Sequence, residues 1–172
     1  MEIINYEYKK TDNQDVIATI WPRAKAAEVA VKFSEFKEQL FCEIDAADIK
    51  KFCSFLNNDS ELSFEYIKFL TAVDYIEYLE MVYCLYSFKN NWSITIKVKL
   101  DAQKPVVDSV TSIYRGADWH EREMAEMFGI DIVGHPDLKN LLLAGDEGGY
   151  PLRKNFEIKW EEREYMPPEK FE

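Results

Sequence analysis

His120 and Glu121 begin the zinc-peptidase pattern H-E-x-x-H, but the place that pattern reserves for a second histidine is taken by Met124. The chain has two histidines, His120 and His135. A histidine-rich metal site is therefore excluded, and what remains is a two-histidine site completed by Glu123 or Asp137. The competing reading of His135, just before Pro136, is a residue that fixes a corner by hydrogen bonding. Glu121, Glu123 and Glu126 could be a general acid/base set; the competing reading is two carboxylates at helical spacing on an ion-paired face, with Arg122 beside them. Gly145 to Gly149 lacks the Lys-Ser/Thr of a phosphate loop, and its two acids repel phosphate. No G-x-G-x-x-G follows a strand and no serine sits in a nucleophile elbow. Cys42, Cys53 and Cys84 are odd in number and far apart, without a C-x-x-C pair; they read as buried thiols.

These residues are carried by one stretch, Trp119 to Phe156. It opens as a helix, with Asp118 as the expected cap, Glu121 at capping-box spacing, and Met124, Ala125, Met127 and Phe128 as the apolar face. Gly129 stands where a left-handed C-terminal residue belongs. Ile130, Ile132 and Val133 follow, then the Gly-His-Pro-Asp corner. A second short helix is predicted over Leu138, Leu141, Leu142 and Leu143, before the glycine-rich loop and the pair Arg153-Lys154. Arg122, Arg153 and Lys154 are cations interleaved with Phe128, Leu138, Leu141 and Leu152 in an acidic surround. That composition suits a specific protein interface; the alternative is a plain solvated surface.

The rest of the chain must form the scaffold. Residues 2–8 and 15–20 read as a hairpin around the polar turn Lys9 to Gln14. Ala26, Val29, Ala30, Phe33 and Phe36 predict an amphipathic helix over 23–40, and 40–44 a short strand. Asp45 is placed to cap a helix carrying Ile49, Phe52, Cys53 and Leu56. Strands follow over 64–73, 77–88 and 92–100; in the last, Trp92, Ile94, Ile96, Val98 and Leu100 alternate with polar residues, giving one buried face. Pro105 opens an amphipathic turn carrying Val107, Val110, Ile113 and Tyr114. The pattern is α+β: a small, mainly antiparallel sheet with helices on one face, plus an extended C-terminal arm. The expected organisation is an α+β domain over 1–114, a helix and partner-binding segment over 115–156, and an extended acidic tail over 157–172.

Composition narrows the function. A chain of 172 residues with 47% hydrophobic and 15% aromatic residues can bury a core and is not a disordered chain. A net charge of −11 and no basic stripe exclude a nucleic-acid binder and direct attachment to anionic lipid. No apolar run approaches the ~20 residues that span a bilayer, and the N-terminus has no signal-peptide pattern. A cytoplasmic location is expected, with any membrane link made through another subunit.

Glu121-Arg122-Glu123, Glu126-Met127-Phe128-Gly129-Ile130, Gly134-His135-Pro136-Asp137-Leu138 and Pro151-Leu152-Arg153-Lys154-Asn155-Phe156 closely resemble the signature of the 30-kilodalton subunit of complex I, the respiratory NADH dehydrogenase. The same family includes the equivalent subunits of F420H2 dehydrogenases and of membrane-bound, energy-converting [NiFe] hydrogenases. With Phe69 to Asp74 and Val82 to Ser87 as its two preceding strands, the resemblance covers roughly residues 60 to 156. It implies a subunit that carries no cofactor; iron–sulfur clusters, and NiFe or flavin, belong to its partners. It further implies packing against the hydrogenase-like large subunit (the 49-kilodalton type of complex I), next to the iron–sulfur small subunit, on the cytoplasmic side of the membrane. The residues carried over to that interface are Glu121, Arg122, Glu123, Phe128, His135, Pro136, Asp137, Leu138, Lys139, Leu152, Arg153 and Lys154. The function so implied is positional: electron carriers on neighbouring chains keep fixed spacing within an ion-translocating oxidoreductase. The chain departs from the pattern in three places. Lys139 replaces the usual arginine and cannot make a bidentate carboxylate contact, and Glu126 replaces a common aspartate. The loop from Ala144 to Tyr150 lacks the Pro and Trp usual in respiratory NADH dehydrogenases, which leans toward the hydrogenase or F420H2 branch. The contrasting hypothesis is a free-standing enzyme with a carboxylate site on the 118–128 helix.

Overall fold

The computed structural model describes residues 13–144 and 148–157. Its centre is a five-stranded sheet in the order β1-β2-β5-β4-β3, built from β1 (Lys32–Phe36), β2 (Gln39–Ile44), β3 (Tyr66–Asp74), β4 (Tyr78–Ser87) and β5 (Trp92–Asp101). Every pairing is antiparallel except β2 with β5, which run parallel. The two strands lie far apart in sequence, so the chain must cross over between them. It does so through a 3-10 turn (Ala46–Asp48), α2 (Ile49–Asn58) and the β3–β4 hairpin. Alternation decides which face is dry: Ile94, Ile96, Val98 and Leu100 of β5 are buried, as are Leu79, Met81, Tyr83 and Leu85 of β4. Onto that face pack Ile49, Phe52, Cys53 and Leu56 of α2 and Val16, Ile20 and Ala24 of α1 (Asn13–Ala26). The expected α+β class, mainly antiparallel, is the one observed.

The N-terminal elements differ from the reading of the sequence. Residues 15–20 are not the second strand of a hairpin but part of α1; the first expected strand, 2–8, lies outside the described residues. The β-branched Val16, Ile17, Thr19 and Ile20 suggested a strand, yet the buried residues fall at 16, 20 and 24, one face of a helix. No single helix runs over 23–40. Glu28, with φ +56, turns the chain out of α1, and Val29 and Val31 are buried on a period of two. β1 and β2 are then joined by a tight turn at Lys37 (φ +48) and Glu38 (φ +66), the two left-handed positions of a primed hairpin turn. The apparent helical spacing of Ala26, Val29, Ala30 and Phe33 was coincidental.

After β5 the chain forms β6 (Val106–Asp108), which pairs in parallel with β7 (Asp131–Val133). Between them runs α3 (Ala117–Phe128), whose Ala117, Met124 and Phe128 join the same core as the sheet, with Ile130 and Ile132. Tyr114 is locked below by its hydroxyl, which donates to the Phe64 carbonyl at 2.8 Å. The stretch from 115 to 132 therefore shares one core with the scaffold.

The three cysteines are buried. Burial pushes the Cys42 and Cys53 thiols up, so they stay protonated and unreactive. No helix among the described residues is long and apolar enough to cross a membrane.

Candidate interaction surface

α3 holds the segments on either side of it by side chains that point inward. Its N-cap is Gly116, so Asp118 lies inside the first turn and the expected capping box does not form. Glu121 instead faces the β6 end and is 1% exposed. Its carboxylate accepts from Ser109 Oγ at 2.6 Å, the Val110 N–H at 2.7 Å and Thr111 Oγ1 at 2.8 Å. A buried carboxylate survives only when donors replace its lost water, and here they come from the loop that leads into α3. His135 closes the same corner: its Nδ1 accepts the Asp137 N–H at 3.1 Å. The ring proton therefore sits on Nε2, which lies 3.2 Å from the Asp118 carbonyl and donates to it. This is the corner-fixing role, with the ring fully buried.

The next turn of α3 organises residues 137–143. The Arg122 guanidinium donates to the carbonyls of Lys139 (2.8 Å) and Asn140 (3.1 Å). Glu126, itself buried, accepts the N–H groups of Leu141, Leu142 and Leu143 at 2.8 to 3.2 Å. The short helix expected over 138–143 is absent, and the reason is visible. Backbone groups that a helix would pair internally are paired with side chains of α3 instead. Charged hydrogen bonds of this kind contribute roughly 1.5–3 kcal/mol each.

The C-terminal segment is fastened in the same manner. Gly129 ends α3 with φ +68, and the Tyr150 ring occupies the space a β-carbon would need, with three ring atoms within 2.6 Å of that position. Leu152 N–H donates to the Met127 carbonyl at 3.1 Å. Arg153 spans the end of α3 and the sheet: Nε donates to Phe128 O at 2.6 Å, and an Nη to Ala102 O at 2.9 Å. The Lys154 N–H donates to Asp74 Oδ2 at 2.9 Å. Burial works to raise the Asp74 carboxyl, but the N–H groups of Lys154 and Ile76 and the charges of Arg153 and Lys154 outweigh it. Its pKa is held below the ordinary aspartate value.

The residues singled out in the sequence thus divide in two. Glu121, Arg122, Phe128, His135 and Arg153 are spent on the chain's own architecture. Pro136, Asp137, Leu138, Lys139, Leu152 and Lys154 are exposed on the segments so held, and Glu123 is half-buried. Lys139 pairs with Asp137 at 2.9 Å, and that contact keeps the Asp137 carboxyl below its usual range. The sequence reading left out of the interface the two most exposed apolar residues of the region, Trp119 (67%) and Leu142 (63%), together with Tyr150 and Val133. The signal for Trp119 was its place on the polar side of an otherwise regular apolar stripe. Each large apolar side chain left in water forgoes roughly 1.5–3 kcal/mol of burial, and a run of them from one stretch makes a candidate interaction surface. A cleft of about 430 Å³ opens between α3 and the 138–150 segment, lined by Arg122, Glu126, Leu138, Lys139 and Tyr150 among others.

The carboxylates of Glu121 and Glu126 face internal donors, and among the described residues no group of three or more His, Cys, Asp or Glu is placed to hold a metal. What the fold and these contacts define is an α+β module with exposed apolar side chains and charged neighbours around α3.

Comparison with known proteins agrees with that class. The family model for the respiratory-chain NADH dehydrogenase 30-kilodalton subunit matches residues 42–164, and the chain belongs to this family. An NADH-quinone oxidoreductase subunit of this type from Roseiflexus sp. (strain RS-1) is 38% identical over 150 residues, 84% of this chain and 86% of that protein. Its counterpart in the NADH-quinone oxidoreductase of Moorella thermoacetica is 44% identical over 100 residues, 57% of this chain and 68% of that protein. Two solved structures share the fold. A chain of the membrane-bound sulfane sulfur reductase, an archaeal respiratory membrane complex, superimposes with a TM-score of 0.69 at 24% identity, covering 85% of this chain and 86% of that one. The trypsin-resistant fragment of Nqo5 does so with 0.57 at 21% identity, covering 71% and 98%.

Proposed function

We propose that the chain is the positional, cofactor-free subunit of a complex I-related, ion-translocating membrane oxidoreductase, docking on its hydrogenase-like large subunit beside the iron–sulfur small subunit. The candidate complexes are an energy-converting [NiFe] hydrogenase and an F420H2 or NADH:quinone dehydrogenase. The contact surface is the one around α3: Trp119, Leu138, Leu142, Tyr150 and Leu152, rimmed by Lys139, Asp137 and Lys154. The observation that carries this reading is the way α3 spends the half-buried Arg122 and the buried Glu126 on holding residues 139–143, a segment that then exposes Leu142 to water, with the exposed Leu138 just before it. The hydrogen bonds stabilise the fold, but the leucines held in water do not; a partner surface gains from them a preorganised template. Iron–sulfur clusters, and NiFe or flavin, reside on the partners, and the chain meets the membrane through them on the cytoplasmic side. Its contribution to electron transfer is the fixed geometry of its neighbours.

The test uses exposed residues, so that folding and docking separate. Leu142→Asp and Leu152→Asp are expected to leave the stability of the free chain within about 0.5 kcal/mol. Each should lower recovery of the large subunit with the affinity-tagged chain by ~10-fold or more, the range of an interface hot spot. Undiminished recovery of the whole complex with both variants contradicts the docking surface.

A further inference from the structure

The β3–β4 hairpin carries an isoleucine whose backbone has a positive φ and whose side chain lies in water. The Tyr75 N–H donates to the Tyr78 carbonyl at 3.0 Å and closes a two-residue loop, Ile76-Glu77. Ile76 has φ +73, the left-handed first position of a primed turn, where glycine is the default and a β-branched residue is an outlier. Its side chain is 70% exposed, more than any other large apolar residue described. The tip is nevertheless held firmly. Asp74 Oδ1 accepts the Ile76 N–H at 2.6 Å, and the rings of Tyr75 and Tyr78 stack with centroids 4.8 Å apart.

The same Asp74 carboxylate reaches the surface described above. Its second oxygen accepts the Lys154 N–H at 2.9 Å. One carboxylate thus ties the backbone of the hairpin tip to that of Lys154, and Tyr75 and Ile76 at the tip are exposed, as is Leu152 two residues before Lys154. We infer that Ile76 is a knob of this same surface, seated in an apolar socket of the large subunit. The inference rests on the docking reading, and continuity through Asp74 selects the occupant. Glu77 at the rim of the knob suits a socket edged by a cation.

Ile76→Gly separates the possibilities, because glycine suits the turn and removes only the knob. Tagged wild-type and I76G chains are expressed beside the untagged native chain in cells that make the whole complex. The share of each tagged chain incorporated with the large subunit is measured, along with the melting temperature of each purified free chain. The expected result is an I76G incorporation ratio lowered by ~10-fold with a melting temperature equal to or above wild type. Equal incorporation of I76G, with the wild-type tag assembling normally, overturns the knob while leaving the docking surface intact. A melting temperature that falls together with incorporation also overturns it, by assigning Ile76 to folding. If the wild-type tagged chain itself fails to assemble with the large subunit, the docking reading fails, and the socket with it.

Discussion

Glu121→Ala lowers the unfolding free energy of the free chain by about 3–5 kcal/mol, a sum of lost buried hydrogen bonds. The carboxylate is 1% exposed and serves three donors, of which the Val110 N–H has no freedom to turn elsewhere. Alanine leaves that N–H and the Ser109 and Thr111 hydroxyls facing an apolar gap. The Ser109 hydroxyl also accepts the Thr111 N–H at 3.1 Å, so the corner before α3 loosens as a unit. Glu121→Gln is milder, by about half, since its oxygen still accepts from Val110 and hydroxyls can rotate to accept from the new amide. Urea denaturation checks this as a shift in midpoint at constant slope. A loss below about 1 kcal/mol for the alanine variant would mean that water replaces the carboxylate at little cost, and that Glu121 behaves as a surface group.

The second large effect is expected at Gly129. Alanine there meets the left-handed backbone penalty of about 1–2 kcal/mol, and its methyl group collides with the Tyr150 ring. Tyr150 is half-exposed and can swing out, but it takes its neighbours along. The Arg153 N–H donates to the Tyr150 carbonyl at 3.0 Å, and the Arg153 side chain is the tie to Phe128 and Ala102. The total is about 2–4 kcal/mol in stability, with the 148–154 segment displaced. A double-mutant cycle with Tyr150→Ala isolates the collision: on the alanine background at 150, Gly129→Ala should retain only the backbone penalty. Equal effects on both backgrounds would show that the ring adapts freely.

How much of this could be read from the residues depended on whether the signal was local. The strands 66–74, 78–87 and 92–101 were legible because alternation and a short polar turn specify them without reference to distant chain. Helix α3 was legible from its stripe and from Gly129. The N-terminal elements were not, because α1 is stabilised by tertiary burial of Val16, Ile20 and Ala24, against the strand preference of β-branched residues. The parallel β2–β5 pairing was hidden for a related reason: its register depends on a crossover of some fifty residues. In the candidate site, residue type identified the right stretch but not the roles. Arg122 and Arg153 looked like partner-binding cations, yet each donates to the chain's own carbonyls. Glu126 stood out as one of an acid/base or ion-paired set and as a substitution for aspartate, although its role is to accept three consecutive amides. Such side-chain-to-backbone contacts join positions 15 to 25 residues apart and leave no periodic trace. Trp119 alone carried a signal, its place off the apolar stripe; Leu142 and Tyr150 gave none, because exposure follows from which face packs inward, a property of the assembled fold.

One measurement reaches the central claim directly: amide hydrogen exchange followed by mass spectrometry on the free chain and on the chain within its isolated complex. Slowed exchange confined to the first turn of α3 around Trp119, residues 137–143 and 150–154 and the 74–78 tip is the predicted footprint, with β1 at the far edge of the sheet unchanged. Protection centred on β1 and β2, or none anywhere when the large subunit is present, would contradict the account.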